Sequence, residues 1–433
     1  MSNPPPRSVL PLSFQQTGMI RNMTRYPECA EQYDLVCLFR VDGALDRASL
    51  VGAVDDVTQR HAMLRSVITP GDSGYEQCVA DSASGRTTVR EWGHRGMREV
   101  AAALAAERCA TDEVLNGQPL FRSALHITAD GTLLSFALHH LVYDGWSLSV
   151  IWRDLSEFYS ARVEGRPARL NPLAYDYPDF IRDQRRSWPE VAGRSLGFWQ
   201  AVTAGAPSAA SWEPPARERP EGDTWQTVRH TFTLAPGSLS AVRRVARENR
   251  LSPSMVLLGA TASAVARTTG QRDLLLGTDT AGRDSKRSWD VVGHCVNARL
   301  TRLRTTATDT PLRLSRRTGE AWQASEPHRH VYEDRILDAC GGPEPLKVNF
   351  AGAAGDEFDA PRLGRAVLTA LDVPLPARDR RPAQIRWQFT EDELRGRITY
   401  RPAKVAESAV RALASALTSA VGELSAEAGA GRG

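Results

Sequence analysis

Lysine is nearly missing from this chain. Of its 54 basic residues only Lys286, Lys347 and Lys404 are lysines, a bias that reads as arginine codons in a GC-rich genome rather than a demand for guanidinium groups. Net charge is missing too. The 54 basic and 51 acidic residues leave +3, which is too balanced for a nucleic-acid or anionic-membrane partner. The cysteines at 29, 37, 78, 109, 295 and 340 form no Cys-x-x-Cys pair. That excludes a dense disulfide framework and fits reduced thiols in the cytoplasm. No apolar run is long enough to span a membrane. The most apolar stretch, Met255 to Ala266, contains Thr261 and Ser263 and falls short of the ~18–20 residues needed. Met1 to Arg7 is polar and Pro-rich, with no secretory segment. A Walker-type phosphate loop and a Gly-x-Ser-x-Gly elbow are also absent. A cytoplasmic protein is expected.

What remains is an ordinary globular composition, 42% hydrophobic and 24% charged over 433 residues. That length suits two or three units at roughly 150 residues each. Both halves mix helix and strand patterns. Ala44 to His61 and Val100 to Cys109 have helical periodicity. Leu64 to Thr69 reads as a strand. Ala124 to Thr128 and Thr132 to Leu138 flank the turn signal Ala129-Asp130-Gly131. Residues 203–224 hold Gly205, Pro207, Pro214, Pro215, Pro220 and Gly222, a linker composition. Beyond it, Val228 to Leu234 reads as a strand and Leu239 to Asn249 as a helix. Ser252 and Pro253 are placed to open a further helix that Gly270 closes. Leu274 to Gly277 reads as a buried strand. Val410, Leu413, Leu417, Val421 and Leu424 mark a last helix, with a frayed tail expected from Ala426. The expectation is an α/β (α+β) chain with a lobe at 1–175, a connecting helix and linker at 176–226, and a second lobe at 227–433.

The chemistry concentrates in His139-His140-Leu141-Val142-Tyr143-Asp144-Gly145-Trp146-Ser147. A buried strand ends at the histidines, and an amphipathic helix follows with Leu148, Ile151, Leu155, Phe158 and Tyr159 at helical spacing. An imidazole with an ordinary pKa of ~6.5 is a usable base near neutral pH. Asp144 invites a triad reading in which it orients His140. His139, His140 and Asp144 are possible metal ligands by type, but neighbours on an extended strand point in opposite directions. His328 and His330 read as a solvated loop. Ser147 lacks a nucleophile elbow, and Cys295 reads as a packed thiol. Trp146 and Tyr143 read as packing residues ahead of substrate stackers.

This run resembles the HHxxxDGWS signature of nonribosomal peptide synthetase condensation domains, and the likeness extends over about residues 10 to 425. Leu10 to Gln16 looks like the opening motif, and Arg60 to Arg65 like RHxxLR. Pro119 to Arg122 stands upstream of the histidines as expected. Tyr177 to Phe180, Phe198-Trp199, Gly277-Thr278 with Ala281-Gly282-Arg283, Val292-Gly293 with Asn297, and Val348-Asn349-Phe350 follow in order. The chain departs from the pattern at Cys295, where the family has phenylalanine, and at Ala298, where it has threonine. The late HQDxPFE motif is degraded to His328-Arg329-His330-Val331-Tyr332-Glu333. These departures put substrate preference in question more than catalysis.

The resemblance implies two chloramphenicol-acetyltransferase-like lobes forming a V-shaped pseudo-dimer with a central tunnel. It implies that His140 does the chemistry, either as a base or by orienting the nucleophile, with His139 in support and the Gly145 N–H able to face an oxyanion. Asp144 and Arg283 would form a structural salt bridge bracing one lobe to the other, with Arg283, the Gly293 to Asn297 segment and Asn349 supplied by the second lobe. Trp146, Asn297, Asn349 and Ser13 would line the substrate tunnel. No metal and no tightly bound cofactor are implied. The substrate would ride on the 4'-phosphopantetheine of a separate peptidyl or acyl carrier protein acting in trans, and the acceptor would be a small molecule or carrier-bound. No adenylation domain fits in the remaining residues and no carrier-protein serine motif is found, which with a start at Met1, nine residues before Leu10, suggests a free-standing condensation enzyme; a monomer is expected. Amide formation is the first reading, ester formation with a hydroxyl acceptor the alternative, and an inactive recruitment domain a third. The epimerase and heterocyclase branches are disfavoured.

Overall fold

The computed structural model describes residues 7–72, 74–82, 87–107, 110–208, 225–340, 344–351, 360–373 and 377–430. Met1 to Pro6, Cys109, and Pro214, Pro215, Pro220 and Gly222 of the expected linker lie outside them. The chain divides into two compact units. One contains Met1–Ser187, Ala281–Val296 and Glu357–Pro376; the other contains Trp188–Thr280, Asn297–Asp356 and Ala377–Gly433.

The first unit is built on a five-stranded sheet. Its order is Val367–Ala370, Asp34–Asp42, Gly131–His139, Phe121–Thr128, Thr87–Glu91. All neighbours are antiparallel except the last pair. Thr128 pairs with Gly131, so Ala129 and Asp130 make the tight turn read from the sequence. Side chains along a strand alternate between the two faces, and the apolar residues follow that rule. Cys37, Phe39, Leu134, Phe136 and Leu138 pack with Leu50, Val54 and Val57 of the Arg47–Arg60 helix and with Leu148, Ile151 and Leu155 of the Gly145–Glu164 helix. Leu38 and Leu133, on the opposite face, pack with Val100 and Leu104 of the Met97–Ala106 helix. Burying one such side chain contributes roughly 1.5–3 kcal/mol. The fold therefore fixes the end of the Gly131–His139 strand from both sides. A smaller sheet of Arg7–Leu10, Gly74–Ala80 and Ser66–Gly71 completes this unit.

The second unit holds a seven-stranded mixed sheet. Its order is Asn297–Arg304, Asp273–Thr280, Leu346–Ala351, Ala383–Phe389, Leu394–Tyr400, Gln226–Thr233, Ala377–Arg378. Its most buried helix, Pro253–Thr269, is capped as the sequence suggested. Ser252 Oγ accepts the Met255 N–H at 3.2 Å, and Gly270 closes the helix with φ of +73°. The last helix runs Glu407–Ala430, so the tail expected to fray from Ala426 stays helical, as its alanines favour.

The units are not continuous in sequence. Thr280 and Asn297 are paired neighbours in the second unit's sheet, yet the segment between them folds with the first unit. Arg283, placed in the second lobe from sequence, therefore belongs to the first. The late strand Val367–Ala370 likewise joins the first unit's sheet.

Candidate active site

Strand geometry separates the two histidines. His139 shares the strand face of Leu133 and Ala137. Its ring is buried, with Nδ1 accepting the Leu141 N–H at 3.2 Å. It borders a small surface recess together with Asp34, Gln118, Arg122 and Ala137. Burial, and then the neighbouring His140, push its pKa down to about 3. His139 is thus a neutral ring with one nitrogen committed to the backbone.

His140 begins the turn and is half-buried. Its backbone N–H donates to the Tyr33 carbonyl at 2.8 Å. Its Nδ1 lies 2.9 Å from the Tyr143 carbonyl oxygen. A carbonyl only accepts, so Nδ1 carries the hydrogen and the neutral ring keeps its lone pair on Nε2. Tyr143 stacks on the imidazole, with centroids 4.8 Å apart and 23° between planes. His294 meets it nearly at right angles, at 4.7 Å and 77°.

Asp144 does not orient His140. Its carboxylate receives both arms of the Arg283 guanidinium, at 2.8 and 2.9 Å, and both side chains are essentially dry. Burial alone would raise the Asp144 carboxyl. The Arg283 charge and the hydrogen bonds from Arg283 and Ser147 outweigh it and hold the carboxyl below its ordinary range. Asp144 is also the N-cap of the Gly145–Glu164 helix, accepting the Ser147 N–H at 2.9 Å. Both partners lie in the first unit. The pair is therefore an internal clamp of that unit, where the sequence reading had expected a brace from one lobe to the other. The arginine reaches its partner through the excursion between Thr280 and Asn297.

The clamp also fixes the backbone at Gly293 to Cys295. Ser147 Oγ donates to Asp144 Oδ1 (2.8 Å) and accepts the Gly293 N–H (3.0 Å). The Cys295 N–H donates to Asp144 Oδ2 (3.0 Å). The Tyr177 hydroxyl donates to the His294 carbonyl (2.8 Å) and shares a hydrogen bond with Ser13 Oγ (2.9 Å). Two glycines permit this crowding. A Cβ on Gly293 would lie 2.1 Å from the Tyr177 ring, and one on Gly282, whose φ is +64°, 1.9 Å from the Cys295 carbonyl oxygen.

The remaining residues singled out from sequence occupy varied settings. Ser13 is buried and caps the Phe14–Arg25 helix in a reciprocal box with Gln16. Gly145 is the exposed first residue of its helix. Trp146, read first as a packing residue, is 43% exposed and donates to the Trp289 carbonyl at 2.8 Å. Asn297 and Asn349 belong to the second unit. Asn297 donates to the Arg329 and Val331 carbonyls, both at 3.1 Å, and Asn349 holds Asp279 at 2.7 Å. His328 stacks on Phe198 (4.2 Å, 16°), with Nδ1 3.0 Å from Ser195 Oγ. The Cys295 thiol is fully buried, and that burial pushes its pKa up, away from nucleophile chemistry. His294 and Trp289 escaped the sequence reading, because neither falls on a fixed position of a motif.

Comparisons with known proteins bear out the sequence resemblance. Phosphinothricin tripeptide synthetase PhsC of Streptomyces viridochromogenes is 33% identical over 280 residues, 63% of this chain and 25% of PhsC. PhsB of the same organism is 31% identical over 314 residues, 71% of this chain and 26% of PhsB. A dimodular nonribosomal peptide synthase of Bacillus subtilis is 28% identical over 347 residues, 76% of this chain and 14% of that protein. The chain thus spans about a quarter or less of the length of these relatives. Among solved structures, the X-domain from teicoplanin biosynthesis superposes with a TM-score of 0.81 at 21% identity, covering 99% of this chain and 97% of that one. The first condensation domain of the calcium-dependent antibiotic synthetase gives 0.73 at 18%, covering 97% and 96%. The epimerization domain of tyrocidine synthetase B gives 0.77 at 18%, covering 99% of each. At these identities the likenesses show the fold, and its mixed α/β class is the one expected. The profile of the condensation domain matches residues 7–341, and the chain belongs to that family.

Proposed function

We propose that the protein is an acyltransferase that joins an acyl or aminoacyl thioester to an amine, forming an amide. The thioester would be carried on the 4'-phosphopantetheine arm of a separate carrier protein. The observation that carries this reading is the tether of His140: Nδ1 donates to the Tyr143 carbonyl at 2.9 Å and leaves Nε2 basic. In the proposed reaction the amine nitrogen attacks the thioester carbonyl carbon. His140 Nε2 takes a proton from that nitrogen, the carbon–sulfur bond breaks, and the imidazolium returns the proton to the departing thiolate. The tetrahedral species carries an oxyanion, for which the exposed Gly145 N–H, at the positive end of a twenty-residue helix, is a suitable donor. His139 supports the turn. The printed names of the relatives, a tripeptide synthetase and a nonribosomal peptide synthase, support a setting in peptide assembly.

The test is intact-mass analysis of acyl-loaded carrier protein mixed with the enzyme and a panel of amines and alcohols. Amide product should form with wild type and fall by about 10²–10⁴-fold in His140→Ala. Wild-type turnover by His140→Ala would sink the catalytic assignment. Ester product from alcohols, with none from amines, would move the reading to the hydroxyl acceptor.

A further inference from the structure

We infer that His294 is a positioning residue for His140, holding its imidazole so that Nε2 keeps one direction. This rests on the reading of His140 as the base.

The geometry supplies the argument. Tyr143 lies nearly parallel to the His140 ring and His294 nearly perpendicular to it, with centroids 4.8 and 4.7 Å away. One parallel wall and one perpendicular wall make a corner, and the Nδ1 bond to the Tyr143 carbonyl sets the rotation of the ring within it. A hydrogen bond alone leaves an imidazole free to rock about its axis. A perpendicular aromatic neighbour at this distance opposes that motion, and such pairs have a preferred geometry.

His294 is itself held in place. It is the middle residue of a three-residue turn closed by the Cys295 N–H on the Gly293 carbonyl at 3.0 Å. Its own carbonyl takes the Tyr177 hydroxyl. The residues on either side are tied to Ser147 and Asp144. A wall serves only if it is more rigid than what it steadies, and this one is anchored to the Asp144–Arg283 clamp. The clamp thus acts on His140 through His294, although Asp144 places neither oxygen on the imidazole. Cys295, where the family has a phenylalanine, is buried packing, while the ring at 294 faces His140.

The test compares His294→Ala, His294→Leu and His294→Phe in the full chain. Ala and Leu should lower kcat by roughly tenfold or more with KM within about twofold, since misplacing a reacting group acts on the chemical step. Phe keeps a perpendicular ring and should recover kcat to within about threefold. Wild-type kcat in His294→Leu, or a loss carried entirely by KM, would overturn the inference. A second readout needs no substrate. In ¹³C-histidine-labelled protein, with the His140 signal assigned by its disappearance in His140→Ala, the His140 ring order parameter should fall below its wild-type value in Ala and Leu, and return in Phe. An unchanged order parameter in both would sink the inference while leaving the proposed reaction intact. Condensation by His140→Ala would sink the reaction while leaving the ring-order result standing.

Discussion

Asp144 with Arg283 in the first unit, and Lys347 with Asp279 and Glu333 in the second, both take charge out of water, with different hardware. The arginine fork meets Asp144 with two parallel bonds, and the two side chains are 1% and 0% exposed. Lys347 reaches one oxygen each of Asp279 and Glu333, both at 2.9 Å, and these carboxylates stay 38% and 20% exposed. A guanidinium fixes the plane of its partner, whereas an ammonium neutralises without dictating orientation. The first knot also secures Ser147, Gly293 and Cys295. The second holds a strand neighbour, Asn349. Geometry is the product of one knot and neutrality of the other.

The largest effect should come from Asp144→Ala. It strands a dry guanidinium and should cost about 3–5 kcal/mol, read as a lower urea midpoint. Arg283→Lys keeps the charge but loses the fork, and should show most of the same loss. Soluble, fully stable Asp144→Ala protein would break the comparison. Lys347→Met should cost less, about 1–2 kcal/mol, because water can reach the carboxylates it leaves behind. A cost equal to that of Asp144→Ala would erase the distinction.

Acid should act in two windows. Buried His139 and His126 have pKa values pushed down to about 3 and about 4, His139 by burial and then His140, His126 by burial and then Arg90. Both are neutral when folded, and the unfolded chain takes up protons first as pH falls below the ordinary ~6.5. Their contribution is therefore intact above that value and declines below it, by up to about 1.4 kcal/mol per pH unit for each ring. Asp144 sits below the ordinary ~3.9 of a carboxyl, so its contribution is intact above that value and is lost as pH falls further. Urea midpoints from pH 8 to 3 should show the first decline flattened by His139→Asn, with the second unchanged. The smallest effect is that of salt. Raising ionic strength to about 1 M should trim the contribution of Lys347 by a few tenths of a kcal/mol and leave that of Arg283 unchanged.

Local signals were legible where neighbours in the chain are also neighbours in space. The Ser252–Pro253 cap, the Ala129–Asp130 turn and the strand leading into His139 are of this kind. The partnership of Asp144 and Arg283 was legible through the family motifs. Which unit would claim Arg283 was not, because periodicity reports local conformation and says nothing about a loop that leaves its own sheet. His294 was hidden for a related reason. Its importance comes from contact with a ring 154 positions earlier in the chain, and no spacing rule reaches that far. The surface setting of Trp146 was also unreadable, since a large apolar residue on an amphipathic helix resembles core.

The tether that sets the tautomer of His140 ends on a main-chain oxygen. No substitution at Tyr143 removes that oxygen, so the base keeps its proton on the same nitrogen whichever side chain stands there. The choice of nitrogen for the proton transfer is written into the backbone and survives a change of side chain, whereas the direction in which that nitrogen points depends on the aromatic walls beside it.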